Sequence, residues 1–107
     1  MEKHLAISLS KAIHQKARLG IMSILMASDE AEFNYLKEKL NLTDGNLSSH
    51  MSLLEKEKYI GIRKKFIKKK PKTLCRMTER GRQAFKEYLE NLEKIIRSFP
   101  PDEGRAK

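Results

Sequence analysis

Between Phe33 and Arg82 the chain sets three patterned stretches end to end with almost nothing between them. Phe33, Leu36 and Leu40 recur on one helix face. Only Asn41-Leu42 follows before Thr43-Asp44-Gly45-Asn46 signals a second helix. Thr43 can cap that helix by accepting a bond from an orphan N–H, and Asp44 beside it complements the helix dipole. Leu47, Met51 and Leu54 then repeat at i, i+4 and i+7 and face a core, with Leu42 of the turn tucked inward. Ile60, Ile62 and Phe66 read as a strand, with Gly61 at its start or at a bulge, and Thr73 to Met77 reads as the return strand. Pro71 suits the first central position of the turn between them.

The connection between these strands is almost solid lysine. From Lys58 to Thr78 there is no Asp or Glu, while Lys58, Arg63, Lys64, Lys65, Lys68, Lys69, Lys70, Lys72 and Arg76 all fall there. A solvated face mixes its signs, and although lysines also blunt sheet edges, an acid-free run points to a polyanion. The net charge of +9 leans the same way. Two helices joined by a tight turn and followed by a basic hairpin make a helix-turn-helix with a wing. In that order the second helix can enter a major groove while the hairpin lies along the neighbouring phosphates.

If Leu47, Met51 and Leu54 face inward, the opposite arc is Gly45, Ser49, Ser52 and Lys56, flanked by Asn46 and Ser48. It is small and hydroxylated, so the helix can seat closely. The candidate DNA-binding residues are therefore Thr43, Asn46, Ser48, Ser49, Ser52 and Lys56 on the helix, with Lys64, Lys65, Lys68, Lys69, Lys70 and Lys72 on the wing. Asn46 can pair bidentately with adenine, or it can simply help Thr43 cap the helix. The arc carries no Arg or Gln, which leaves it poorly equipped to read guanine.

Leu5, Leu9, Ala12 and Ile13 predict a first helix from about Lys3 to His14. From Lys16 to Ala27 apolar residues spread nearly all round, as in a central, buried helix, and Ser28-Asp29-Glu30 stops it. Ala31-Glu32-Phe33 is a short extended link able to pair with the wing. Thr78 caps a last helix running to about Phe99, where Pro100-Pro101 ends it. Its stripe of Phe85, Tyr88, Leu89, Leu92, Ile95, Ile96 and Phe99 is longer than a small core requires. The stripe either packs against the first two helices or, as its length favours, meets a partner helix, which in a chain this small is another copy. Leu5, Leu9, Tyr88, Leu92, Ile95, Ile96 and Phe99 are the expected homodimer interface. The fold class is mainly α with a small β-hairpin wing (α+β), a winged helix-turn-helix with a long C-terminal dimerisation helix. One domain spans residues 1–99, and 100–107 is a flexible tail.

Catalysis has nothing to stand on: there is no G-x-G-x-x-G, P-loop, nucleophile elbow, H-E-x-x-H or C-x-x-C. His4, His14 and His50 share no metal-ligand spacing, so neither a metal nor a cofactor is expected. His50 reads as a packed, hydrogen-bonded histidine, and His14 with Arg18, one turn apart, as a structural or dimer contact. The single cysteine, Cys75, excludes an intrachain disulfide and fits a reducing compartment. Flanking cations would lower its pKa if it were exposed, making it a redox-sensing thiol; otherwise it is an ordinary small strand residue. Met1 to Ile13 lacks the pattern of a secretory signal, and no apolar run approaches the roughly 20 residues of a membrane span. The expected setting is the cytoplasm.

With these positions in hand the chain resembles small winged-helix transcriptional regulators of the MarR/ArsR type, in the compact group found in bacteria and archaea. The resemblance is carried by His14 with Arg18, by Leu42-Thr43-Asp44-Gly45-Asn46-Leu47-Ser48-Ser49-His50, and by Leu54 with Tyr59-Ile60. Phe66, Pro71 with Thr73, and Thr78 with Gly81-Arg82 complete it, over roughly residues 9 to 99. It implies a homodimeric protein that binds double-stranded DNA. Many ArsR-type relatives sense metal through paired cysteines near the DNA-binding helix, and this chain has no such pair. No pocket for a small-molecule effector is readable. A winged-helix protein-interaction module and a sequence-neutral nucleic-acid coat protein are the competing readings.

Overall fold

The computed structural model describes residues 3–101. Four helices enclose one core and a three-stranded antiparallel sheet leans out from it. In chain order these are α1 (Lys16–Ser28), β1 (Glu30–Glu32), α2 (Phe33–Leu40), α3 (Asp44–Lys56), β2 (Ile60–Ile67), β3 (Lys70–Met77) and α4 (Glu79–Arg97). This is the winged-helix α+β architecture expected from the sequence. Of the tail expected at 100–107, residues 102–107 lie outside the described residues.

Helix α1 is central, as its all-round apolar composition requires. Ile21, Met22 and Leu25 are fully buried, and Leu19, Ile24 and Met26 pack against the same core. The Gln15 side chain accepts from the Arg18 N–H to start it. Leu36 of α2, Leu47, Met51 and Leu54 of α3, and Phe85 and Tyr88 of α4 close around it. Asn41 ends α2 in the left-handed region at φ 53°, which a short polar side chain tolerates better than most. The Thr43 hydroxyl then accepts from the Asn46 N–H at 3.1 Å and begins α3. Gly81 on the first turn of α4 is sterically required, because a Cβ there would lie 2.0 Å from the Tyr59 carbonyl oxygen.

Two expectations need correction. No helix spans Lys3 to His14; that segment holds one 3-10 turn, Leu5–Ser8. Its serines compete for the backbone: Ser8 Oγ donates to the Leu5 carbonyl, and Ser10 Oγ accepts from the Ile13 N–H. Such local bonds offer the chain an alternative to the helix ladder. Nor does Pro71 form the wing turn. The turn is Lys68-Lys69, both at positive φ (52° and 65°), closed by the pair Ile67 and Lys70. Two residues at positive φ match the right-handed twist of a hairpin. Pro71 lies inside β3 opposite Phe66, beyond the reach of β1, where β3 has a neighbour on one side only.

The sheet order is β1-β3-β2. The link before α2 is therefore a real strand, with Ala31 opposite Cys75. No helix among the described residues is long and apolar enough to cross a membrane.

Candidate nucleic-acid interface

Helix α3 presents a hydroxylated arc because its opposite face is held rigidly. Leu47, Met51 and Leu54 are buried, while Thr43, Asn46, Ser48, Ser49, Ser52 and Lys56 are all exposed. The cap uses the backbone N–H of Asn46, so its carboxamide is not what caps the helix. Lys37 on α2 pairs with Asp44 at 2.8 Å and ties the two helices together at the turn. From α1, the Arg18 guanidinium bonds His50 Nδ1 at 3.0 Å and the Ala12 carbonyl. Partial burial and the Arg18 charge both push the His50 pKa down. A neutral imidazole accepting from Arg18 thus braces α3 against α1; among the described residues no three or more His, Cys, Asp or Glu side chains gather in one group.

The wing lysines are divided by the strand register. Paired residues share a face and alternate along each strand. Gly61, Arg63, Lys65 and Ile67 therefore share one face with Lys70, Lys72, Leu74 and Arg76. Ile60, Ile62, Lys64 and Phe66 share the other with Pro71, Thr73, Cys75 and Met77. The second face looks toward α3: Ile62, Lys64 and Thr73 line a cleft of about 360 Å³ with Ser48, Met51 and Ser52. Of the strand lysines only Lys64 is on the α3 side, while Lys68 and Lys69 occupy the turn.

Acids from β1 also reach the wing. Glu30 pairs with Arg63 at 3.0 Å and Glu32 with Lys72 at 3.5 Å. A segment without acids in sequence is partly neutralised in space, a feature invisible without the β1–β3 pairing. Lys64, Lys65, Lys68, Lys69 and Lys70 are exposed and make no ion pair within the described residues. A larger open groove of about 830 Å³ lies behind the wing, between Ile24, Ala31, Tyr35, Ile67 and Leu74. It is on the opposite side of the sheet from the α3 arc.

Cys75 is wholly buried, and desolvation followed by the Glu55 charge pushes its thiol up to about 12. The flanking cations are on the other face, so the thiol is the small strand residue of the two readings. Tyr88 corrects the expected interface between copies. It is 2% exposed within its own chain, and its hydroxyl bonds His14 Nδ1 at 2.8 Å, leaving it no surface to offer. Leu9, Leu92 and Ile95 are half-buried, whereas Leu5, Ile96 and Phe99 are exposed, along with Ile7 and Leu89.

A family described as the winged helix DNA-binding domain matches residues 17–96, from α1 to the end of α4. The chain belongs to that family. An uncharacterized protein of Methanocaldococcus jannaschii is 40% identical over 89 residues, covering 83% of this chain and 97% of that protein. A solved structure, a transcriptional regulator homologue from Pyrococcus horikoshii, is 32% identical with a TM-score of 0.80 and covers 87% of this chain and 92% of its own. YusO from Bacillus subtilis shares the fold at 16% identity and a TM-score of 0.70, over 92% of this chain and 74% of its own. The protein is thus a winged-helix DNA-binding protein rather than an enzyme.

Proposed function

We propose that the protein is a sequence-specific transcriptional regulator of the cytoplasm that binds double-stranded DNA as a homodimer. Helix α3 lies in the major groove with Asn46, Ser48, Ser49 and Ser52 nearest the bases, Thr43 and Lys56 at the two ends, and the wing lysines on the flanking backbone. The observation that carries this reading is the shared aspect of α3 and the wing. The hydroxylated arc and the Lys64 face border one cleft, so one duplex can meet both at once. Small side chains let the helix approach closely, and lysines beyond it neutralise phosphates without reading sequence. Dimerisation is supported by Leu89 and Ile96, exposed on α4, and by Phe99 just beyond it, together with Leu5 and Ile7, exposed on the 3-10 turn that packs against α4. Two copies joined there would present two α3 helices to half-sites about one helical turn apart. Residues 1–99 act as one DNA-binding and dimerisation domain, with the tail outside it.

Competition binding tests the reading. A duplex selected from genomic fragments should resist random-sequence competitor, and its affinity should fall about 10³–10⁵-fold between 50 and 200 mM salt if roughly 6–10 phosphates are neutralised. Asn46→Ala or Ser49→Ala should cost about 1–3 kcal/mol on that duplex and little on random DNA. Full competition by random DNA would mark a sequence-neutral coat protein instead. Absence of DNA binding at physiological salt would leave an interaction module built on the apolar end of α4.

A further inference from the structure

Phe66 is 75% exposed, more than any other large apolar residue among those described. It sits one residue pair inside the wing turn, opposite Pro71, which is exposed as well. Strand alternation sends both toward the side that carries Lys64 and Thr73, which border the cleft with Ser48 and Ser52 of α3. The pair lies about 13 Å farther out along β2 than Ile62. Lys64, Lys68, Lys69 and Lys70 surround it in the chain, and the acids that reach the wing are spent on Arg63 and Lys72 on the opposite face.

An apolar tip ringed by cations repels a second copy of itself. It suits a polyanion whose interior is apolar and reachable between charged rails, and duplex DNA has that construction. With α3 in a major groove, the next minor groove lies about half a helical turn away, or ~17 Å along the axis. Phe66 lies about 13 Å beyond Ile62, which borders the α3 cleft, so the wing reaches outward on that scale.

We infer that Phe66, backed by Pro71, is a wedge that enters the flanking minor groove and partly unstacks one base step, bending the duplex. This rests on the DNA interface proposed above and adds a deformation to it. Phe and Pro belong to the small set of side chains that can part a base step, which kinks DNA by about 20–90°. Pyrimidine–purine steps open most easily, so Phe66 confers a preference at a step where it makes no hydrogen bond. That supplies discrimination that an α3 arc without Arg or Gln lacks.

The test uses the full chain and its best duplex of roughly 30 base pairs, short enough that smooth bending is resisted, recovered by selection from random pools. Adenines flanking the half-sites are replaced in turn by 2-aminopurine, and the duplex ends carry a fluorescence energy-transfer pair. Wild type should raise 2-aminopurine emission severalfold at one step per half-site and shorten the end-to-end distance. Phe66→Ala should lose both signals at saturation while keeping the wild-type salt slope, and Phe66→Leu should retain them. Because Phe66 is exposed, both variants should keep the wild-type circular dichroism. Lys68→Ala with Lys69→Ala should behave in the opposite way, with a flatter salt slope and both signals intact at saturation. Saturable binding by wild type without emission change at any flanking step, or Phe66→Ala retaining the change, overturns the wedge and leaves the DNA interface standing. If neither wild type nor variant binds DNA, both readings fall together.

Discussion

Arg18 and His50 show how one pair of side chains positions α3. The guanidinium donates to His50 Nδ1, a bond that only a neutral imidazole can accept. Partial burial, and after it the Arg18 charge, holds the His50 pKa below its ordinary value of 6.5 in the folded protein. An unfolded chain takes up that proton first as pH drops, so the stability this contact contributes is present above about pH 6.5 and is lost as pH falls below it. The thermal midpoint should decline between about pH 7 and pH 5, and His50→Gln, whose amide oxygen can accept the same bond without titrating, should flatten part of that decline. Superimposable pH profiles for the two proteins would mean that His50 titrates alike in the folded and unfolded states. Cys75 is the complementary case: it lies in a strand rich in cations and next to Arg76, yet it is buried in the core, and burial followed by the Glu55 charge keeps it a thiol.

The wing hairpin is the element in which local stability and the proposed DNA binding pull apart. Lys68 and Lys69 both hold positive φ, a conformation that costs an L residue about 1–2 kcal/mol and that Asn-Gly adopts readily. Replacing them as Lys68→Asn with Lys69→Gly should tighten the hairpin, seen as slower amide exchange across β2 and β3. The same change removes two cations from the wing tip, so DNA affinity should fall and the salt slope should drop by about one for each phosphate that is no longer neutralised. Unchanged affinity in the variant would remove the turn from the interface. Strand identity and the basic character of this hairpin are legible in the spacing of Ile60, Ile62 and Phe66 and in the lysine run. The turn position is not, because Pro71 looks like a turn former until the pairing with Phe66 is known.

At the scale of the whole molecule, the last turns of α4 extend past the core. Phe85 and Tyr88 are the last apolar residues of that helix to be fully covered, while Ile96 and Phe99 are 64% and 65% exposed. Ile96→Glu should leave a single chain folded with nearly unchanged helical content, since its side chain touches solvent already. In a dimer the same carboxylate would be buried without a partner, at a cost of several kcal/mol. Sedimentation should then show wild type as a dimer and the variant as a monomer, with DNA binding sharply reduced because one subunit meets only one half-site. A monomeric wild type at tens of micromolar, well above the Kd of an ordinary stable dimer, or a dimeric variant, would place the interface elsewhere.

What the amino-acid order determined by itself were the features set by near neighbours. The helices follow from the period of Leu47, Met51 and Leu54 and from the caps at Thr43 and Thr78, whose hydroxyls accept from the Asn46 and Gly81 N–H groups. The α3 arc and the basic wing follow from the same local rules, because caps and helical periodicity act within three or four residues. Where serine hydroxyls compete with that periodicity, as at Ser8 and Ser10, the local reading failed. Tertiary structure alone decided which lysines share the α3 side, that Glu30 and Glu32 answer Arg63 and Lys72, that Tyr88 belongs to the core, and that Phe66 is left uncovered at the wing tip. Each of these depends on strand register or on segments distant in the chain coming together, and a one-residue change of register would send every wing side chain to the other face.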